Sequence, residues 1–302
     1  MFLTFITILS ATALATRTQA AAPAAAAGGP GTLRQIVPGY YVYLADPRIS
    51  GVIETSDGVV VFDALTTEAI ARHERQLIAE TIGKPVRYLV SSSNHAQYSG
   101  GNGAYRDAIR IGSEDYRTDI LGGNAAPTPD QQARLPDITF RDRMTFTTGG
   151  KEFHIIHVGT AHTRGDSILF IPQDRIVYTS EVFFYERFPF IDSGSLHWIE
   201  AIDTILNLPA DIIVPGNGQW LVNSPEETRR SLVRSKEVLI AVRDAVQAEI
   251  AKGATEDEAT ARLPLEQYRG MTGWDGVGGG TVPQHEVMVR RMYRELKGTL
   301  PR

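Results

Sequence analysis

The sequence predicts a layered α/β fold in a single domain. Two observations carry this. Short β-branched and aromatic runs alternate with helical patterns in two similar halves, and polar loops bearing His or Asn follow three of the strands. In such folds, functional sites are built on loops at strand ends.

The first half opens with strand signals at 40–44 and 51–55. Ser56-Asp57-Gly58 reads as a turn, and a strand resumes at 59–62. A helix is predicted over about 67–81, with Thr66 or Thr67 as N-cap and with Gly83 and Pro85 closing it. The strand at 86–90 runs into the polar loop SSSNHAQYSGGN. In the second half, a strand at 153–158 leads to the loop GTAHTRGD, and strands at 167–171 and 175–184 follow. A helix over 196–207 precedes a strand at 211–214 that ends in Pro215-Gly216-Asn217-Gly218. The strongest helix signal comes next. Ser224 is the N-cap, Pro225 sits at the first helical position, and Glu227 completes a capping box. Leu232, Leu239, Val242, Val246 and Ile250 line one face, and Gly253 ends the helix. Helices at 255–263 and 284–297 complete the chain.

Hydrophobic residues make up 42% and charged residues 22% of the 302, an ordinary globular composition. A net charge of −5 gives no electrostatic case for nucleic acid or an anionic membrane, so neither is expected as a partner. With no cysteine there is no disulfide, thiolate nucleophile or thiolate metal site. Any metal must be held by His, Asp or Glu. Residues 2–15 form an apolar run too short for a typical transmembrane helix, followed by small residues. This resembles a secretory signal over 1–20, cleaved between 20 and 22, although the start carries no Lys or Arg. The expected order is signal, flexible linker over 21–34, then one domain over 35–302, in a periplasmic or secreted protein.

The loops resemble those of the metallo-β-lactamase superfamily across residues 35–300. The family pattern is H-x-H-x-D-H with Gly-Gly or Gly-Asn behind it, then G-x-x-H-T-x-G-D, a strand ending in Gly-Asp, and P-G-H-G. HVGTAHTRGDSILFIPQDRIVYTSEVFF matches the second element, IIVPGNGQW stands where P-G-H-G falls, and VVVFDAL resembles the early strand with its structural Asp, here Asp63. The resemblance implies a four-layer αββα sandwich. With Gly100-Gly101 aligned, the ligand positions read Ser93, His95, Gln97, Tyr98, His162, Glu181 and Asn217. Two histidines remain, and one carboxylate remains in its longer form.

In the family, these ligands hold two zinc ions that activate water for hydrolysis. The second site would here consist of Gln97, Tyr98 and Asn217, which are poor zinc ligands, so a dinuclear zinc centre is not expected. Neutral groups at these positions can satisfy one another and the loop backbone without leaving an unmatched charge. His95, His162 and Glu181 suit one divalent metal, zinc or iron, or form a hydrogen-bonded cluster with no metal. Ser93, Gln97, Tyr98 and Asn217 are the candidate catalytic residues. Ser93, His95 and Glu181 include the residue types of nucleophile, base and orienter, and Tyr98 or His162 are candidate general acids.

Other polar residues invite structural readings. His154 and His157 fall on opposite strand faces, with His157 as a candidate support for the site. Asp166 braces its loop, Asn102 caps the following turn, His73 lies on a solvated face with Arg72 and Glu74, and His285 is structural. The aromatic segment 185–190 lines a pocket, with Trp220 opposite, or is simply packed. Three functions follow. One is a hydrolase-like enzyme acting on a small ester, lactam or lactone with at most one metal. The second is a non-catalytic protein that binds a small molecule or a partner in the same cleft. The third is a mononuclear-metal enzyme of a different class, such as an oxygenase.

Overall fold

The structure is a computed structural model that describes residues 31–45, 47–124, 126–218, 220, 224–276 and 283–300. The expected signal, and the linker up to residue 30, lie outside the described residues. Among those residues no helix is long and apolar enough to cross a membrane.

The strands are β1 (Thr32–Val37), β2 (Tyr40–Ala45), β3 (Arg48–Glu54), β4 (Val59–Phe62), β5 (Val86–Val90), β6 (Ile109–Ser113), β7 (Ile138–Phe140), β8 (Arg143–Thr148), β9 (Lys151–His157), β10 (Ser167–Ile171), β11 (Ile176–Tyr178) and β12 (Ile212–Val214). The helices are α1 (Glu68–Thr81), α2 (Ala96–Ser99), α3 (Glu114–Leu121), α4 (Pro129–Arg134), α5 (Leu196–Asn207), α6 (Pro225–Ala251), α7 (Glu256–Arg262) and α8 (Gln284–Leu296). Strands β1 to β7 form one sheet in sequence order, antiparallel up to β4 and parallel beyond it. The second sheet runs β12-β11-β10-β9-β8.

The four layers follow from alternation along the strands. Val60 and Phe62 point between the sheets, where they meet Ile155, Leu169 and Tyr178. Their neighbours Val59 and Val61 point outward and pack on Ala71 and Ile78 of α1. On the other side, Ile168 and Phe170 pack against Ile202 of α5, Leu239 and Val242 of α6 and Met288 of α8. Strands buried on both faces read as continuous apolar runs, as VVVF and SILFI do. The expected αββα sandwich is present.

Three local expectations are corrected. Strand β1 begins at Thr32 and pairs with β2, so part of the expected linker belongs to the sheet. Ser224 is the N-cap of α6 but makes no capping bond with its side chain, so the capping box is not formed. The strand expected over 175–184 stops at Tyr178. The chain then makes a tight turn over Ser180–Val182, with Ser180 at φ 46°, and this turn presents Glu181.

Candidate metal centre

The site lies at one edge of the two sheets, where loops after β4, β5, β9, β11 and β12 meet. Asp63 ties three of them together. It is fully buried at φ 68° and accepts from the Ser92 backbone N–H and hydroxyl, both at 2.8 Å, and from the Ser180 hydroxyl at 2.6 Å. Burial pushes its carboxyl up to about 7 against these bonds. Close backbone approach also sets the geometry. A Cβ on Gly101 would lie 2.1 Å from the Ala64 carbonyl oxygen, and one on Gly216 2.3 Å from the Ser180 carbonyl. The Trp198 indole N–H donates to the Val182 carbonyl at 2.8 Å and fastens the Glu181 turn to α5.

These loops bring His95, His162 and Glu181 together, each offering one donor atom, all within 4.8 Å of one another. His95 Nδ1 meets Glu181 Oε2 at 2.9 Å, and its Nε2 meets Asp192 Oδ2 at 3.1 Å. His162 Nδ1 donates to the Phe190 carbonyl at 2.7 Å, which fixes the tautomer and leaves Nε2 facing Glu181 Oε1 at 3.5 Å. That second hydrogen bond is the arrangement that orients histidine ligands in metal sites. Glu181 also accepts from the Ser93 hydroxyl at 2.5 Å.

The charges follow from these contacts. Burial alone would lower His95, but its bonds to Asp192 and Glu181 outweigh it and lift the imidazole to about 10. Burial lowers His162, which is therefore the neutral imidazole. Burial would raise Glu181, but His162, His95 and Ser93 together hold it below the usual range. Once His95 gives up its second proton to an arriving cation, the two imidazoles and the carboxylate form a donor set that fits one divalent ion of the zinc or iron type.

Across the cavity, Tyr98 and Asn217 bond to each other. Asn217 Nδ2 donates to the Tyr98 hydroxyl at 3.3 Å, and that hydroxyl donates to the Gly216 carbonyl at 3.0 Å. Burial holds the Tyr98 phenol well above its ordinary pKa. Its proton is committed to the Gly216 carbonyl, which speaks against a general acid. Gln97 is exposed at the mouth of the cavity. Amides and a phenol give no set of charged donors for a second ion.

The cavity encloses about 310 Å³, and Phe184, Phe188 and Phe190 form its apolar wall. Part of the aromatic segment therefore does line a pocket. Trp220 does not stand opposite. It is buried in the core between the sheets and donates its indole N–H to Thr228 Oγ1 at 2.8 Å. The Ser93–His95 nucleophile and base pair is not formed, because the serine hydroxyl donates to Glu181. Asp166 braces the His162 loop by accepting from the Thr163 N–H at 2.9 Å. Asn102 does not cap a turn. Its amide donates to Ser91 Oγ and the Tyr116 hydroxyl in the buried interior. His157 bonds the Asp166 carbonyl at 2.9 Å and supports that loop instead of the cluster. His285 stacks on Trp274 at 4.0 Å, and Glu74, expected on a solvated face, is fully buried.

Sequence reasoning missed Arg48, Asp192 and Gln284, which also line the cavity. No motif marks them. Arg48 arrives through strand register, since Ile49 N–H donates to the Gly216 carbonyl at 2.9 Å.

The comparisons agree with the fold. The curated 2,4-dinitroanisole O-demethylase subunit alpha of Nocardioides sp. is 26% identical over 171 residues, which cover 55% of this chain and 51% of that protein. The solved stereoselective inverting sec-alkylsulfatase of Pseudomonas sp. superposes with a TM-score of 0.70 at 16% identity, covering 88% of this chain and 50% of its own. A metallo-beta-lactamase from Pontibacter korlensis superposes with a TM-score of 0.59 at 19% identity, covering 70% of this chain and 99% of its own. This chain thus spans about half the length of the demethylase subunit and of the sulfatase. The metallo-beta-lactamase superfamily profile matches residues 45–217, more than half of the sequence, and the chain belongs to that superfamily.

Proposed function

We propose that this chain is a hydrolase-like enzyme that holds one divalent metal at His95, His162 and Glu181 and cleaves a small ester, lactone or lactam. The name of the demethylase relative extends the class to aromatic ethers. The observation that carries the reading is the convergence of these three donors in an aromatic-walled cavity of about 310 Å³.

A bound metal would supply hydroxide by lowering the pKa of a water. The chain's own groups do the rest. Phe190 and Ser93 fix the orientation of His162 and Glu181. Asp192 holds the outer nitrogen of His95 and is itself backed by Arg291 at 3.4 Å. The phenylalanine wall excludes water and takes the apolar part of the substrate. Ser93 acts as a brace in this reading, and Tyr98 and Asn217 shape the far wall.

One observation favours the second reading, a binding protein without catalysis. His95 has a carboxylate on each ring nitrogen, so the cluster closes on itself as an ion-paired network. Metal analysis of the purified protein separates the two. About one zinc or iron per chain is expected, with turnover of aryl esters or aryl methyl ethers that stops when the metal is removed. Two ions per chain, or turnover that survives metal removal, would overturn the one-metal reading. No metal and no turnover would leave the binding protein.

Export is part of the proposal and rests on residues 2–20. A mature chain that starts just after Ala20 or Ala22 is expected from terminal sequencing, and a mature protein retaining Met1 would contradict it.

A further inference from the structure

We propose that Arg48 is the anion-recognising end of the cavity, and that the molecule taken there is a small aromatic carboxylate. Its ring would lie on the phenylalanine wall and its carboxylate would meet the guanidinium. The proposal rests on the reading of this cavity as the substrate site.

Arg48 is the first residue of β3, held beside the loop after β12 by two backbone bonds. Ile49 N–H donates to Gly216 at 2.9 Å and Gly218 N–H to Pro47 at 2.8 Å. It shares the cavity lining with Gln97, Tyr98 and Asn217, which are all neutral. Its Nε is buried without a hydrogen-bond partner, and among the described residues no carboxylate pairs with it. The two carboxylates of the cavity are engaged elsewhere. Glu181 meets Ser93 and both histidines, and Asp192 meets His95 and Arg291.

A guanidinium whose buried Nε lacks a partner, at the wall of a half-open cavity, is costly to hold and gains from an anion. Its planar fork matches a carboxylate with two parallel bonds, which a compact ammonium does not reproduce. Phe184, Phe188 and Phe190 supply the apolar surface for a ring of matching size. At three of the superfamily's ligand positions this chain has the neutral side chains Gln97, Tyr98 and Asn217, and the guanidinium of Arg48 lines the cavity beside them.

Titration of the full chain with benzoate and with its uncharged isostere benzamide tests this, read by calorimetry and by the fluorescence of Trp198, whose ring lies 5.3 Å from that of His162. Benzoate is expected to bind at least tenfold more tightly than benzamide, with the advantage shrinking as salt is added. Arg48→Gln is expected to abolish the preference, with circular dichroism confirming the fold. Should that variant not fold, Arg48→Lys gives the reading, because it keeps the charge but loses the fork, and a benzoate affinity at least threefold weaker is expected. Equal binding of the two probes, or an unchanged preference in the variant that folds, would overturn the proposal. Failure of the enzymatic reading looks different: the benzoate preference would persist with no hydrolysis of any ester or ether. Hydrolysis of neutral esters without a benzoate preference would overturn the Arg48 proposal alone.

Discussion

Glu181 and Glu74 are both buried glutamates, 5% and 0% exposed, yet their surroundings push them in opposite directions. Glu74, on α1, receives hydroxyl donors only, from Ser50 at 2.5 Å and Tyr105 at 2.8 Å. Burial outweighs those bonds and pushes its carboxyl up to about 8. Around Glu181, burial is overcome by His162, His95 and Ser93, and the carboxyl falls below its ordinary range. Hydroxyls can satisfy a buried carboxyl, but imidazoles keep it ionised. The pocket of Glu74 is therefore packing, whereas that of Glu181 maintains a negative charge and suits a ligand for a cation.

The largest expected effect comes from breaking the charged pocket. Glu181→Ala leaves the Ser93 hydroxyl without its acceptor and removes one of the two carboxylates that hold His95. A loss of about 3–5 kcal/mol is expected, as for one partner removed from a buried ion pair. It is read from the urea midpoint, together with loss of the proposed metal. Glu181→Gln keeps an oxygen for Ser93, so it should lose the metal at a smaller cost in stability. A Glu181→Ala protein as stable as the parent would end the contrast with Glu74.

The Glu74 pocket makes a prediction of opposite sign. Its carboxyl is raised in the folded state, so folding takes up a proton. The associated stability is fully present below about 4.5, the ordinary value, and is lost as pH rises through about 8. Asp166, raised by burial to about 8, and Asp63, to about 7, act in the same direction. The quantity to measure is thus the difference between parent and Glu74→Gln. Thermal melts from pH 5 to 9 should show the parent losing stability with rising pH more steeply than the variant. Parallel curves would mean that Glu74 is ionised throughout. Glu181 contributes with the other sign, since its lowered carboxyl stabilises the fold above the ordinary range and stops doing so as pH falls.

The two pockets were unequally legible in the sequence. His95, His162 and Glu181 fall at positions that the family resemblance marks as ligands, and their grouping was expected from it, although Glu181 was expected on a strand and lies in the turn Ser180–Val182. The role of Glu74 could not. Helical spacing put it beside exposed Arg72, and only the packing of α1 over β3 brings Ser50 to it. Arg48 and Asp192 were hidden for the same reason, because an isolated bridge between Arg48 and Asn217 and the fold of the aromatic loop place them. Trp220 was misplaced because a buried indole follows its hydrogen-bond partner, here Thr228. The strand expected through 184 continued in pattern, but tertiary bonds from Ser180 to Asp63 turn the chain away at Thr179.

The smallest effects belong to the neutral wall, which separates fixed side chains from free ones. Tyr98→Phe removes the hydroxyl that links Asn217 to the Gly216 carbonyl, and a loss of about 1 kcal/mol is expected, the net worth of a typical buried hydrogen bond. Gln97→Ala touches a side chain at the cavity mouth and should change stability by no more than about 0.5 kcal/mol. If Gln97 contacts substrate, the same variant will raise KM with kcat unchanged, because an interaction equally strong in bound substrate and transition state affects only binding. A fall in kcat with KM unchanged would instead place Gln97 at the reacting atoms, and the far wall would then be part of the chemistry as well as its boundary.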